Sequence, residues 1–117
     1  MKLKIRKNVL SEALNNVSKA LSSKNIVPIL SGIKFNLTKE KLILTASDND
    51  ITIQTEIEKS EDLEILKTGS IVIKGKYIID IIRKLDSEFI NMEIVDDYKV
   101  LIYTENSEFN LNGIDAR

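Results

Sequence analysis

Cysteine and histidine are both missing from this 117-residue chain. Their absence excludes a disulfide framework, a thiolate nucleophile, an imidazole base and the usual zinc ligands. Glycine occurs only four times and never in a phosphate-cradling loop. Proline occurs once, at Pro28. No apolar run approaches the length of a membrane span. The first residues, Met1-Lys2-Leu3-Lys4-Ile5-Arg6, are charged throughout and lack the apolar core of a secretion signal. A cytoplasmic protein with no membrane association is the expectation. The length suits one domain, which can bury roughly two-thirds of its unfolded surface without staples.

What is present reads as alternating strand and helix. Leu3 and Ile5 alternate with Lys2, Lys4 and Arg6, the pattern of a half-buried strand. Asn8 is placed to cap a helix, because its side-chain oxygen can accept from free N–H groups. Leu10, Ala13, Leu14, Val17 and Leu21 then recur at three- and four-residue spacing, an apolar stripe of about three to four turns. Pro28 stops that helix and pushes Val27 towards extended geometry. Ile33, Phe35 and Leu37 alternate as a second strand. Residues 38–41 form a turn, Leu42 to Ala46 a dense strand suited to a central position, 47–50 a turn, and 51–57 a further alternating strand.

Residues 58–69 are mostly polar and read as a link between halves. The order then recurs: a short strand over 70–74, a helix over 76–85, and strands near 89–95, 98–103 and 109–111. Tyr77, Ile78, Ile81, Ile82 and Leu85 sit at helical spacing. The isoleucines favour a strand, but Asp80, Arg83 and Lys84 share one helical face, and the helix is chosen. The expected fold is α+β, with two strand-helix-strand-strand-strand repeats over about 1–58 and 70–115. Two helices would pack on antiparallel sheets.

The chain is nearly neutral, at a formal charge of −1. The two helical segments are mildly basic: residues 8–24 sum to +1 and 75–85 to +2, which leaves −4 for the remainder. Chemistry-bearing constellations are weak. Asp48-Asn49-Asp50 faintly resembles a calcium loop, but Ile51 and Ile53 stand where oxygen ligands should be. Asp96-Asp97 lies on a turn with no acid or base partner beside it in sequence. No metal or other cofactor is implied, and catalysis is not expected.

Four stretches carry a family likeness: Pro28-Ile29-Leu30-Ser31-Gly32, Leu44-Thr45-Ala46-Ser47-Asp48, Ile79-Asp80-Ile81-Ile82-Arg83-Lys84-Leu85, and Ser107-Glu108-Phe109-Asn110-Leu111-Asn112-Gly113. In this order the chain closely resembles the first domain of the bacterial sliding clamps, the β subunits of DNA polymerase III. The resemblance implies a DNA-clamp fold and a non-catalytic processivity factor. Two three-domain subunits would close around duplex DNA, with helices lining the hole, and the clamp would tether the replicative polymerase. A second clamp subunit, the polymerase and a clamp loader are the implied partners. Only the first domain is covered, so the chain is expected to be a domain fragment lacking the family's peptide-binding pocket.

The resemblance puts Lys24 first among DNA-contacting candidates, then Arg83, with Lys19 and Lys84 behind. A solvated helix end is the competing account of Lys24. The resemblance also maps a subunit interface onto Tyr77, Ile81, Asn110 and Leu111, with ordinary core the favoured reading of Ile81 or Leu111 taken singly. Two other readings stand beside it. One is a small protein-interaction module with no DNA role. The other is a small enzyme using Asp48, Asp50 or a lysine.

Overall fold

The computed structural model describes residues 1–19, 32–47 and 50–116. Lys24, Pro28, Leu21 and Asp48 lie outside them. In chain order the elements are β1 (Lys2–Arg6), α1 (Lys7–Ser18), β2 (Gly32–Leu37), β3 (Lys41–Ser47) and β4 (Thr52–Glu58). They continue with β5 (Leu63–Lys67), β6 (Gly69–Lys74), α2 (Gly75–Lys84), β7 (Phe89–Val95), β8 (Lys99–Tyr103) and β9 (Glu108–Asn112). Alternation in sequence becomes alternation in burial. Ile33, Phe35 and Leu37 are buried along β2 while Lys34 is exposed.

The strands form two antiparallel sheets, one ordered β5-β1-β7-β8-β9 and the other β4-β3-β2-β6. Each sheet mixes early and late strands. β1 pairs with β5 and β7, so Lys2 lies opposite both Lys67 and Glu93. β6 pairs with β2, matching Ile73 to Ile33 and Ile71 to Phe35. β3 is interior, as its apolar density predicts.

Both sheets feed one core with the two helices. Leu3, Ile5, Ile90 and Ile102 come from the five-stranded sheet, and Phe35, Leu44 and Ile71 from the four-stranded one. Leu10, Leu14 and Val17 of α1 and Ile78 and Ile82 of α2 complete it. No polar or charged side chain is buried among the described residues. Such a core carries no desolvation penalty for polar groups, and each fully buried aliphatic side chain contributes about 1.5–3 kcal/mol.

Three sequence expectations need correction. Residues 58–69 are not only a link, because β5 lies within them and pairs with β1. Leu63 is buried there, while Leu66 on the other face stays half exposed, which blurs the alternation. Against an expected count of about eight, the described residues form nine strands. Asn8 is not the helix cap: α1 starts at Lys7, with Arg6 at the N-cap and no side-chain capping bond. The Lys7 N–H donates instead to the Glu88 carbonyl at 2.8 Å, so a neighbouring loop satisfies a donor that a cap would have taken.

The turns show their chemistry directly. Asp96 and Asp97 carry φ values of 46° and 63°, a left-handed pair joining β7 to β8. Gly69 has φ 156°, and a Cβ there would stand 2.7 Å from the Met1 nitrogen. After β9 the chain crosses to the other sheet. Val72 and Ile114 exchange N–H···O bonds of 2.9 and 2.8 Å, tying the segment after β9 to β6.

Candidate nucleic-acid interface and open sheet edge

The two helices pack against each other, and their junction is a shallow groove lined by Ser11, Leu14, Asn15, Ile79, Ile82 and Arg83. The α1 side of it places Ser11 and Asn15 beside Leu14, and Ser18 Oγ folds back to donate to the Asn15 carbonyl at 3.0 Å. Glu12, the acid within α1, stands on another side of the helix, among Val9, Asn16, Thr55 and Glu56 beside β4. The groove side of α1 is therefore free of carboxylates along its length.

Arg83 and Lys84 occupy the last turn of α2 and are exposed. A cation is favoured there by the helix dipole, so both are placed at little energetic cost. Lys19 follows α1 and is also exposed. It lies eight residues beyond Ser11, roughly 12 Å along a helix axis. Arg83 and Lys84 thus sit together, with Lys19 towards the other end of α1. Lys24 lies outside the described residues.

Lys7 explains how the helices are held and was not singled out from sequence. A lysine in the first turn opposes the dipole of its own helix. Its ammonium donates to the Leu85 carbonyl just past α2, where a cation is welcome. The signal was present as a lysine at an unfavourable helix start, but its partner is 78 residues away.

The charges elsewhere are arranged differently. Arg6 on β1 donates to Asp62 at 2.7 Å and is also paired with Glu88. The hydrogen bond to Asp62 and then that to Glu88 raise its pKa above the ordinary guanidinium value. Lys41 meets Glu56 at 2.9 Å and Lys59 meets Glu40 at 3.4 Å. Among the described residues, Lys19, Arg83 and Lys84 form no ion pair, and Asp80 does not close on Lys84. Lys41 and Lys59 are thus partly neutralised, whereas Lys34 and Lys74 of the four-stranded sheet, like the cations at the helix ends, form no ion pair among the described residues.

The second candidate surface lies at the end of the five-stranded sheet. β9 pairs with β8 on one side and is the last strand of its sheet. Beside it runs a groove lined by Lys74, Tyr77, Asn110, Leu111, Asn112 and Ile114, among others. Tyr77, Asn110 and Leu111 are therefore brought together. Tyr77 is 46% exposed, with the Lys74 and Lys76 ammonium groups each 5.8 Å from its ring centroid. Ile81 is not part of this groove. It is 8% exposed and packs inward with the core. Lys74 and Ile114 join the groove although sequence spacing did not mark them, because they arrive through pairing between distant segments.

Two antiparallel sheets with a helix pair over a shared core define a clamp-type α+β domain, and solved clamp structures superpose on it closely. The DNA polymerase sliding clamp of Bacillus subtilis gives a TM-score of 0.93 at 38% identity, covering 99% of this chain and 32% of that one. The β clamp of Helicobacter pylori, solved with a DNA ligase peptide, gives 0.84 at 37% identity, covering 99% and 31%. The beta sliding clamp of Staphylococcus epidermidis is 37% identical over 98% of this chain and 32% of its own length. The sequence model for the DNA polymerase III beta subunit, N-terminal domain, matches residues 1–117. The chain belongs to that family. It spans about a third of the length of the curated relatives it matches.

Proposed function

We propose that this chain acts as the first domain of a ring-shaped sliding clamp, a non-catalytic processivity factor of bacterial DNA replication. Its two halves, about 1–58 and 70–115, are pseudo-repeats that exchange their first strands. In the complete ring a second subunit, the replicative polymerase and a clamp loader are its partners, and the bacterial cytoplasm is its place of action. No helix among the described residues is long and apolar enough to cross a membrane.

The observation that carries the DNA role is the set of exposed cations at the helix ends. Arg83, Lys84 and Lys19 are exposed and form no ion pair among the described residues, and Arg83 lines the groove between the helices with Ser11 and Asn15. Cations without protein partners are the ones available to phosphates. A few such contacts suit sliding, since affinity and salt dependence both rise with the number of phosphates neutralised. Lys24 is proposed as a further contact on family likeness. For the subunit contact, Tyr77, Asn110 and Leu111 form the surface beside the open β9 edge, and Ile81 supports α2 from behind.

The test is fluorescence anisotropy of the domain on a labelled duplex across a salt series. Weak binding that falls with salt is expected. R83E/K84E should lower affinity several-fold and flatten the log–log salt slope by about one for each phosphate no longer neutralised. Binding that ignores both salt and the charge reversal would sink the DNA role and favour a protein-interaction module.

A further inference from the structure

Asn112-Gly113 is the chain's one Asn-Gly dipeptide, and it closes the open sheet edge. Asparagine followed by glycine is chemically unstable, because no Cβ shields the next backbone nitrogen from the asparagine side chain. Asn112 is exposed and Gly113 partly so. The backbone arrangement restrains the reaction. Asn112 is still in the β9 ladder opposite Lys99. The Gly113 N–H donates to the Tyr98 carbonyl at 2.7 Å. Gly113 also packs against Ile71, where a Cβ would come within 2.5 Å of Cγ1. An extended backbone with a bonded N–H holds the nucleophile away from the amide it would attack.

We propose that Asn112 is a spontaneous deamidation site, gated by opening of the Gly113 N–H···O bond to Tyr98 at the end of β9. On opening, the Gly113 nitrogen loses its proton to base and attacks the Asn112 side-chain carbon. The C–NH2 bond breaks and ammonia leaves, taking up a proton from solvent, with a succinimide ring left behind. Water then opens either ring C–N bond to give aspartate or isoaspartate. Both products place a carboxylate in the groove that Lys74 and Tyr77 line, and isoaspartate also adds a backbone carbon to the strand. Strand ends open at low free energy, so the reaction rate reports the local stability of this edge. The consequence for subunit contact rests on the reading of β9 given above, whereas the chemistry does not.

The experiment ages the 117-residue chain at mildly alkaline pH beside a peptide of residues 108–116, with peptide mapping for the mass gain of about one dalton. The folded chain should convert at Asn112 about tenfold or more slowly than the peptide, faster in sub-denaturing urea, and not at all as Asn112→Gln. Conversion at the peptide's rate would overturn the gating. An Asn112 that stays intact in urea, while hydrogen exchange shows the Gly113 N–H opening, would overturn the site itself.

Discussion

The two helices do the same packing job with different materials. α1 buries Leu10, Ala13, Leu14 and Val17 and shows serine and asparagine to the groove. α2 buries Ile78, Ile81 and Ile82 and carries Lys76, Asp80, Arg83 and Lys84 outside. The isoleucines of α2 are poor local helix signals, since β-branching restricts χ1 in a helix. They are helical because one face of the segment meets the core and the other meets water. The core therefore sets the helices, and the residues left outside set what each can touch.

The largest effect should come from the buried faces. Leu14→Ala and Ile82→Ala, each 2% exposed, should each cost about 2–5 kcal/mol in urea titrations. Near-equal losses would show that both helices are anchored in one core. A loss confined to one variant would break the equivalence. Next is the tie between the helices: Lys7→Met removes the donor to Leu85 and should cost about 1 kcal/mol. An unchanged urea midpoint would mean that side-by-side packing alone sets their spacing. The smallest effect is local. Asn16, exposed in the body of α1, should stabilise the chain by about 0.5 kcal/mol when changed to Ala. The same measurement on Ile79→Leu in α2 should yield a few tenths. A larger gain in α2 would show that its β-branched composition strains the helix more than packing relieves.

Much of this comparison was legible in the residues themselves. Strict alternation marks β1, β2 and β4, and the three- and four-residue stripe marks α1, because in those segments a single face is buried. Asp96-Asp97 reads as a turn for a reason the left-handed φ values bear out. β5 was hidden because Leu66 points outward next to the inward Ile65, so its alternation looks like noise in a polar stretch. The helix start was misread because the partner of the Lys7 N–H is Glu88, which no local rule can supply. The candidate cations Arg83 and Lys84 were legible as a charged helical face. Of the groove beside β9, Tyr77, Asn110 and Leu111 were named through the family resemblance and not by any local pattern. Lys74 and Ile114 enter it through the pairing of β6 with residues beyond β9, a juxtaposition of distant segments that no local pattern encodes.

The position of β1 between β5 and β7 also bears on how the molecule is made. Lys2 is synthesised well before one of its ladder partners, Glu93. At ribosomal rates of about 5–20 residues per second, that partner follows roughly 5 to 20 seconds later. Until then Leu3 and Ile5 have at most β5 beside them, and the nascent chain carries a half-apolar strand with one edge open. The second edge closes only when β7 arrives to hold it.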